Sequence, residues 1–362
     1  MLKHLKRLVE IESPSDDKAA VDRAGEPIAE WAKALGGRVR VHPFPLHGNS
    51  LEIRFGSARS RNAPLMLLGH LDTVWAKGTL QQMPWRVLDD RICGPGVLDM
   101  KAGVTMMLTA IAILRECSAE PCPVVILLHG DEEIGSPASR SLTESTALTC
   151  RAVYVLEPAQ GTAGAYKTAR KGVGHYRITV RGVGAHSGVD FTAGHSAIVE
   201  LAHQIERISR ITNLERGITI NPGVISGGSR SNVVASEAWT DVDVRVARAC
   251  DAERVNRALR RLGPLDTACS LEVEGGTNRP PMERTRGTVM LFRHARALAA
   301  RIGLPLEEAA TGGGSDGNFA SALGIPTLDG MGAAGAGAHA AHEHVFRRDL
   351  AARTALLAAM LL

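Results

Sequence analysis

Aromatic residues are scarce in this sequence, and their scarcity argues against nucleic-acid binding. Phe, Trp and Tyr together make up 4% of the 362 residues. Lys and Arg total 42 against 38 Asp and Glu, and no basic tract carries interleaved aromatic residues. Without stacking platforms or a concentrated positive face, the chain is not expected to bind RNA or DNA. A small molecule or a peptide is the better expectation for a substrate.

The sequence also shows no pattern of paired cysteines, and its first residues are not expected to be a targeting segment. The six cysteines show no CxxC spacing and no dense framework, which is typical of reduced and mostly buried thiols in a chain of this size. Residues 1–10 are amphipathic and charged, without the apolar core or the small-residue cleavage site of a signal peptide. No apolar run is expected to approach the length of a membrane span. These features predict a cytoplasmic protein with no membrane partner.

Polar side chains follow three short apolar runs that read as buried strands, at residues 65–69, 124–128 and 153–156. Helical segments separate the runs, which predicts a mostly parallel α/β sheet with helices on both faces. In such a sheet the functional site forms beyond the carboxyl ends of the strands. The side chains found there are His70 and Asp72, then Asp131, Glu132 and Glu133, then Glu157, with Asp99 opening a helix between the first two strands.

His70 and Asp72 are one residue apart at the end of the first run. In extended backbone their side chains lie on the same face, next to each other. A carboxylate that accepts a hydrogen bond from one ring nitrogen fixes the tautomer and raises the basicity of the other nitrogen, as a metal-binding histidine requires. An ordinary ion pair at a strand end is the alternative. The carboxylates at the other strand ends favour the metal ligand.

The pattern changes near Val173, where alternating residues replace the continuous apolar runs. The predicted order from there is β-α-β-β-α-β, a ferredoxin-like α+β unit. We therefore expect a catalytic domain formed by residues 1–172 and 281–362, with residues 173–280 inserted between its two parts.

The candidate ligands combine two imidazoles with several carboxylates, a set that suits zinc and, with a shared carboxylate, two metal ions ~3.5–4 Å apart. A carboxylate that is not a ligand would serve as the general base for hydrolysis. Glu132 and Glu133 are adjacent, so one suits each task, and the residues alone do not decide which. The set is His70, Asp99, Glu132, Glu133, Glu157 and His339.

Motifs along nearly the whole chain resemble one family, the di-zinc metallopeptidases that include glutamate carboxypeptidase, acetylornithine deacetylase, succinyl-diaminopimelate desuccinylase and aminoacylase. The triple glycine before Ser315-Asp316 is similar to the glutamate carboxypeptidase branch, also called carboxypeptidase G. The motifs are Gly69-His70-Leu71-Asp72-Thr73, residues 94–103 around Asp99, Asp131-Glu132-Glu133-Ile134-Gly135-Ser136, Glu157-Pro158, Gly184-Ala185-His186-Ser187-Gly188, Ser231-Asn232, Asp243-Val244-Arg245, Gly312–Asp316 and His339-x-x-x-Glu343.

The resemblance implies a zinc-exopeptidase catalytic domain that binds two zinc ions per chain, with Co²⁺ or Mn²⁺ as possible substitutes. Asp99 would bridge both ions, and the peptide after it is typically cis in this family. Glu132 would be the general base, and Asp72 would orient His70. The remaining ligands would be His70 and Glu157 at one ion, and Glu133 and His339 at the other.

The inserted domain would, by the same resemblance, be a dimerisation lid in a homodimer. Its His186 would reach the partner's active site and stabilise the tetrahedral oxyanion. Asn232 and Arg245 would contact the substrate, and the guanidinium fork of Arg245 suits a terminal carboxylate. Arg279 resembles a second such arginine of the branch, but the local match is poor and we expect it to be solvated; Arg170 stays ambiguous.

Three questions remain open at this level. His342 is an alternative to His339 as the late ligand, although only His339 gives the His-x-x-x-Glu spacing. Gly313-Gly314-Ser315-Asp316-Gly317 also fits the G-x-S-x-G pattern of a serine hydrolase, with Asp329 and His339 in the order of a triad. The third question is whether the chain is a metal-free binding protein with the same fold rather than an enzyme.

Within the family, the expected activity is removal of a C-terminal acidic residue, glutamate in particular, with N-acyl-amino-acid deacylase or dipeptidase as alternatives.

Overall fold

The computed structural model describes residues 1–56 and 62–362. Among these residues the helices are α1 (Leu2–Val9), α2 (Lys18–Ala34), α3 (Ala102–Glu116), α4 (Arg140–Ala147), α5 (Ala197–Ser209), α6 (Ala249–Arg260), α7 (Arg286–Arg301), α8 (Gly317–Ala322) and α9 (Arg347–Met360). The strands are β1 (Arg38–His42), β2 (Gly48–Phe55), β3 (Leu65–His70), β4 (Arg86–Leu88), β5 (Arg91–Cys93), β6 (Val124–Gly130), β7 (Ala152–Val155), β8 (Tyr166–Arg170), β9 (Gly172–Arg181), β10 (Thr219–Gly227), β11 (Glu237–Val246), β12 (Ser270–Arg279), β13 (Glu308–Thr311), β14 (Thr327–Leu328), β15 (Gly335–Ala336) and β16 (His344–Phe346).

The described residues form two compact units. Unit 1 consists of Met1–Ala169, Arg284–Thr311 and Ser315–Leu362, and unit 2 of Arg170–Glu283 with Gly312–Gly314. The boundaries expected at 172/173 and 280/281 lie within a few residues of these. The short segment Gly312–Gly314 was expected in the catalytic part and is found in unit 2, where its carbonyl groups accept hydrogen bonds from arginine side chains.

The main sheet of unit 1 has six strands in the order β1-β2-β6-β3-β7-β14. Strands β6, β3, β7 and β14 are parallel, whereas β2 is antiparallel to β6 and β1 is antiparallel to β2. Because β3 and β6 run in the same direction, His70 lies beside His129 at the same sheet edge. The predicted mostly parallel sheet is confirmed, and its carboxyl-end edge is where the polar side chains gather.

Strand β3 is buried on both of its faces, which explains its unbroken apolar sequence. Leu65 and Leu67 join a large core that includes residues of α1, α2, α3 and α9, while Met66 and Leu68 join a second core that includes residues of α4 and α8. Helices therefore cover both faces of the sheet. His70 is the last residue of this strand and therefore lies at the carboxyl-end edge of the sheet.

The expectation that no apolar run approaches the length of a membrane span is wrong for the segment that contains α3. The stretch Val97–Glu116 is long and apolar enough, by length and composition, to cross a membrane, although no such run was expected. Most of it is buried inside the protein, and α3 packs against α9 and β3. A helix that is apolar on nearly all sides is the usual core helix of a larger α/β domain.

Unit 2 contains an antiparallel sheet in the order β10-β11-β9-β12. Along the chain its elements follow as β9, α5, β10, β11, α6 and β12, so the predicted ferredoxin-like arrangement is confirmed. Tyr176, Ile178 and Val180 alternate along β9 and enter a core shared with α5 and α6. The opposite sheet face carries polar residues such as Arg177, whose guanidinium pairs with Asp241.

Candidate metal centre

His70 is the last residue of β3 and is almost fully buried. The residue before it is glycine, and a Cβ atom on Gly69 would lie 2.6 Å from the terminal methyl group of Met100, so this end of the strand packs closely against the Met100 side chain. The His70 amide in turn faces the Met100 sulfur at 3.3 Å. The close packing of these segments brings the histidine ring towards Asp99, and the Asp99–Met100 peptide is cis, as the family resemblance implied.

Two groups of potential ligands meet at the carboxylate of Asp99. His70 Nε2 lies 3.2 Å from Asp99 Oδ1 and 3.4 Å from Glu157 Oε1. On the other side, His339 Nε2 lies 3.4 Å from Asp99 Oδ2 and 3.3 Å from Glu133 Oε2. Asp99 thus presents one oxygen to each group. The five side chains that the sequence assigned to metal binding are brought together with the partition that the family resemblance implied.

Zinc or a similar divalent ion fits these residues. Each group offers one imidazole nitrogen and two carboxylate oxygens, and within a group the ligand atoms lie within 4.8 Å of one another. These are zinc ligands, and a carboxylate shared between two ions is typical of two-metal hydrolytic sites. The Oε1 atom of Glu133 is buried without a hydrogen-bond partner among the described residues, which an ion would supply.

The electrostatics of the cluster support the same assignment. Burial would lower the pKa of His70, but hydrogen bonds to carboxylates, that of Asp72 first, raise this pKa well above its usual value. Hydrogen bonds to Asp99 and Glu133 raise the pKa of His339 to about 10. Burial opposes the ionisation of Asp99, yet its bonds to the two imidazoles lower its pKa. The carboxylates therefore favour positive charge next to them, which bound metal ions would supply in place of the protons on the two imidazoles.

Asp72 has a wider role than the one expected for it. The His70 Nδ1 atom lies 2.9 Å from the backbone carbonyl of Asp72 and 3.4 Å from its carboxylate. The carbonyl is therefore the nearer partner that orients the ring, rather than the carboxylate alone. The Asp72 carboxylate instead accepts the amides of Glu132 and Glu133 at 3.2 and 3.1 Å and the Ser15 hydroxyl at 2.7 Å. It thereby ties the end of β3 to the turn that carries the two glutamates.

Glu132 and Glu133 lie in a short 3₁₀ turn, Glu132–Ile134, after β6. Gly135 ends this turn with a positive φ of 94°, a conformation that glycine adopts without strain. Glu133 joins the ligand group of His339, whereas Glu132 belongs to neither group. The structure thus separates two adjacent carboxylates whose tasks the sequence left undecided, and it leaves Glu132 as the candidate general base.

The late histidine of the cluster is His339 and not His342. His339 has a φ of 62°, which is uncommon for a residue with a side chain, and its ring is half exposed at the Asp99 carboxylate. His342 is exposed and belongs to neither ligand group among the described residues. The structure therefore places His339, the residue that the His-x-x-x-Glu spacing favoured, in the second ligand group.

The other three predicted site residues lie in unit 2. His186 and Asn232 are exposed and adjacent, since the Ser187 amide donates to the Asn232 carbonyl at 3.1 Å. Arg245 is half-buried on β11, and the carboxylate of Asp243 accepts bonds from its Nε and Nη2 at 2.8 and 2.9 Å. The structure therefore groups His186 with Asn232 and gives Arg245 a fixed orientation.

Two further arginines of unit 2 are buried. Arg279, expected to be solvated, is only 7% exposed, and Arg170 is 4% exposed. Arg170 Nη1 donates to the carbonyls of Gly313 and Gly314 at 3.2 and 3.0 Å. A Cβ atom on Gly314 would lie 2.9 Å from the Arg279 side chain. Gly314 thus permits close packing against the Arg279 side chain, and the carbonyls of Gly313 and Gly314 bind the Arg170 guanidinium; the sequence pattern did not indicate these contacts.

The serine of the G-x-S-x-G pattern is not presented to a substrate. Ser315 is fully buried, and its hydroxyl donates to Asp329 Oδ2 at 2.6 Å. The third member of the proposed triad, His339, faces Asp99 and Glu133 instead. This geometry gives the serine hydrolase alternative no support.

Two residues near the cluster were not expected from the sequence as parts of it. Ser15 lies far from the motifs in the chain and reaches Asp72 only in the folded protein. Glu343 was expected only as the spacing marker for His339, yet its carboxylate accepts a hydrogen bond from the Asp99 amide at 3.1 Å. The sequence signal for Glu343 was its position four residues after His339, and the sequence carried no signal for Ser15.

Comparison with known proteins assigns the chain to a family. Residues 66–362 match the family described as Peptidase family M20/M25/M40. Carboxypeptidase G2 from Pseudomonas sp. (strain RS-16) is 28% identical over 346 residues, which are 94% of this chain and 83% of that protein. Acetylornithine deacetylase from Klebsiella pneumoniae (strain 342) is 27% identical over 256 residues, 66% of this chain and 65% of that protein. The solved structure of aminopeptidase PepT from Bacillus cereus has a TM-score of 0.81 at 22% identity, covering 99% of this chain and 96% of that one.

The chain therefore belongs to peptidase family M20/M25/M40. The resemblance inferred from the motifs is confirmed, and the protein is a hydrolase of the metallopeptidase and amidohydrolase type. The mixed α/β fold of the solved relative agrees with the two-unit architecture described above. Carboxypeptidases, a deacetylase and an aminopeptidase all occur among the similar proteins, so the relatives do not select one substrate class.

Proposed function

We propose that this protein is a zinc-dependent exopeptidase of the glutamate carboxypeptidase type, which hydrolyses the amide bond before a C-terminal acidic residue. The observation that carries the proposal is the pair of ligand groups sharing Asp99, with imidazole nitrogens 3.2 and 3.4 Å from its two oxygens. An arrangement of this kind holds two ions next to each other, which suits the hydrolysis of an unactivated amide.

In this proposal His70 and Glu157 would hold one ion, Glu133 and His339 would hold the other, and Asp99 would be a ligand shared by both groups. Zinc at these positions would supply Lewis-acid chemistry, namely polarisation of the scissile carbonyl and acidification of the water that attacks it. The buried Asp72 carboxylate keeps the turn bearing the glutamates in register with His70 through its two amide bonds.

Glu132 is the proposed general base. Its carboxylate would take the proton of the attacking water and deliver it to the nitrogen of the departing amine, so that one residue serves in both steps. Its backbone amide is held by Asp72 at 3.2 Å, and it lies outside both ligand groups.

Arg245 is the proposed recognition residue for the substrate carboxylate. Asp243 holds one edge of its guanidinium, and that edge is therefore oriented before a substrate binds. A guanidinium in a fixed position suits bidentate recognition of a planar carboxylate. Asn232 would add a contact to the substrate, and His186 would stabilise the oxyanion from the neighbouring subunit. The similarity to carboxypeptidase G2 over most of the chain supports a glutamate-like leaving group.

A homodimer through unit 2 is part of the proposal. β10 is one of the two edge strands of its sheet, with Val224 and Ile225 exposed, and Val199 is exposed on α5. An edge strand flanked by apolar side chains suits pairing with the same strand of a second copy. Ile225→Lys should convert a dimer to a monomer in sedimentation analysis, while a wild-type protein that sediments as a monomer would remove this part.

A panel of leaving groups tests the proposed substrate class. N-acylated glutamate, aspartate, alanine, leucine and lysine, together with the corresponding dipeptides, would be assayed with Zn²⁺, Co²⁺ and Mn²⁺. We expect the highest kcat/KM for glutamate, and loss of activity on chelation. Equal rates for all N-acyl amino acids would indicate a general deacylase, and activity restricted to dipeptides would indicate a dipeptidase. Activity that survives chelation but not a serine-directed acylating reagent would contradict the metal mechanism itself.

A further inference from the structure

The carboxylate of Glu343 accepts four hydrogen bonds at the back of the metal centre. Its Oε1 atom accepts the amides of Leu98 and Asp99 at 2.8 and 3.1 Å. Its Oε2 atom accepts the amide of Gly96 at 2.9 Å and the indole N–H of Trp75 at 2.8 Å. Three of the four donors are therefore backbone amides of the turn that carries Asp99.

The same carboxylate connects three segments that carry ligands. Trp75 follows the end of β3, where His70 lies, and it is separated from Glu343 by 268 positions in the chain. Glu343 itself comes four residues after His339 and immediately before β16. Any displacement of this one side chain would loosen the Asp99 turn from the segments of both histidines.

The Glu343 carboxylate is buried among hydrogen-bond donors and lies near a buried ammonium group. The residue is only 1% exposed, and burial raises its pKa. The four donors oppose that effect, because hydrogen bonds to the charged form stabilise it. The ammonium group of Lys101 is also buried, donates to the Ile11 carbonyl at 2.9 Å and interacts favourably with the Glu343 charge. A buried carboxylate with this set of partners is a strong and directional anchor.

We propose that Glu343 is a positioning residue of the metal centre: it fixes the backbone of Asp99 so that the two oxygens of that side chain face the two ligand groups. This inference rests on the proposed function, since it assumes that Asp99 contacts both ions. It assigns to Glu343 no contact with substrate and no proton transfer. Outer partners that orient a ligand in this way commonly contribute 10–100-fold to metal affinity, about the size of effect expected here.

Glutamate is needed at this position because each of its oxygens faces two donors. In Glu343→Gln, one oxygen becomes an NH₂ group that points at two N–H groups, so two hydrogen bonds are lost with almost no change in volume. The turn it holds packs closely against the segment that follows β3, since a Cβ atom on Gly96 would lie 2.6 Å from the Thr73 side chain. The substitution therefore tests the hydrogen bonds rather than the packing.

The test is zinc affinity measured by competition with a chromophoric chelator, on the full chain. We expect Glu343→Gln to weaken zinc binding by about 10–100-fold. Glu343→Asp, which keeps the charge but shortens the reach, should fall between it and wild type. In the Co²⁺-loaded protein, the visible absorption bands should shift in Glu343→Gln, because the geometry at Asp99 changes. A purely structural role would lower the thermal midpoint without moving the bands or the affinity.

Glu200→Gln in unit 2 is the matched control. Glu200 is also buried, and its carboxylate accepts the amides of Leu265 and Asp266 at 3.0 and 2.9 Å and the side-chain amide of Gln204. Its substitution should lower stability to a similar degree and leave zinc affinity unchanged.

The outcomes separate this inference from the proposed function. Wild-type affinity in Glu343→Gln, or an equal loss in Glu200→Gln, would overturn the inference while the metal site stands. A wild-type chain that binds no zinc would overturn the proposed function instead. If Glu343→Gln fails to fold, zinc affinity is measured in Glu343→Asp and Trp75→Phe instead. The role is supported if Glu343→Asp binds zinc more weakly than wild type and Trp75→Phe shows a smaller loss. The loss should be smaller because Trp75→Phe leaves the three amide bonds to Glu343 intact. Wild-type affinity in Glu343→Asp overturns it.

Discussion

The predicted site residues of unit 1 and those of unit 2 differ in how firmly the protein holds them. In unit 1, His70 and Glu157 are buried, and Asp99 is bonded through its side chain and its amide. In unit 2, His186 and Asn232 lie exposed on the surface. Arg245 is intermediate, half-buried and held by one carboxylate.

This difference indicates that the two groups of residues have different tasks. Side chains that bind an ion must be placed within a fraction of an ångström before the ion arrives, and buried hydrogen bonds provide that placement. Side chains that bind substrate or a second subunit need access to solvent. We therefore expect substitutions in the buried group to change metal content or kcat, and substitutions in the exposed group to change KM, substrate preference or assembly.

The largest effect is expected from Glu132→Gln. Removal of the general base should lower kcat by about 10²–10⁴-fold with little change in bound zinc, because Glu132 belongs to neither ligand group. Steady-state kinetics with parallel metal analysis measures both quantities. The neighbouring Glu133→Gln is the control, and it should lose metal as well as activity. Substantial turnover in Glu132→Gln would remove this residue as the base.

A smaller effect is expected from Arg245→Ala, which tests the unit 2 side of the comparison. A charged hydrogen bond contributes about 1.5–3 kcal/mol, so KM for an N-acyl glutamate should rise by roughly 10-fold or more. Zinc content should stay at the wild-type value, and Arg245→Lys should recover only part of the loss because it lacks the planar fork. An unchanged KM, or a loss of zinc, would show that the two regions do not divide their tasks in this way.

The smallest effect is expected from substitution in an exposed ion pair of unit 1. This substitution tests whether burial, rather than membership of unit 1, determines the size of the effect. Arg284 Nη2 lies 2.7 Å from Glu308 Oε1, with side chains 49% and 30% exposed. The Arg284 guanidinium lowers the pKa of Glu308 from 4.5 to about 2. A carboxylate whose pKa is depressed in the folded state contributes stability above its unfolded pKa, and the contribution is lost as the pH falls towards the folded value.

Glu308→Gln should accordingly cost about 0.2–1 kcal/mol at pH 7, since solvent screens the pair, and the difference from wild type should shrink as the pH falls from about 4.5 towards 2. Urea unfolding midpoints at a series of pH values measure this trend. Zinc affinity at pH 7 should not change. A difference that grows on acidification would contradict the assignment of the ion pair.

Much of the fold could be predicted because local patterns and tertiary structure agree. The continuous apolar run of β3 indicated a strand buried on two faces, and the alternation of β9 indicated a strand with one open face. Helix α4 and strand β8 were not predicted. The sequence of α4 carries few apolar residues at helical spacing, and β8 is a short strand whose only strand partner is β13 in the described sheets.

The site was predictable at the level of ligands and less so at the level of their supports. Parallel strands end at the same edge of a sheet and bring together the side chains that follow them, so His70 and Glu157 could be placed near each other from the pattern alone. The contacts of Ser15 with Asp72 and of Trp75 with Glu343 join residues far apart in the chain. Such contacts leave no local signal, since they depend on how three loops pack at one sheet edge.

The central claim is that one side chain, Asp99, serves two metal ions held within unit 1. Its most direct test is zinc per chain, measured by mass spectrometry after reconstitution and removal of free metal, in the wild type and in Asp99→Ala. We expect two zinc ions per wild-type chain and fewer than one in the variant, because both ligand groups lose a carboxylate oxygen at once. One ion or none in the wild type, or two ions retained by Asp99→Ala, would contradict the claim.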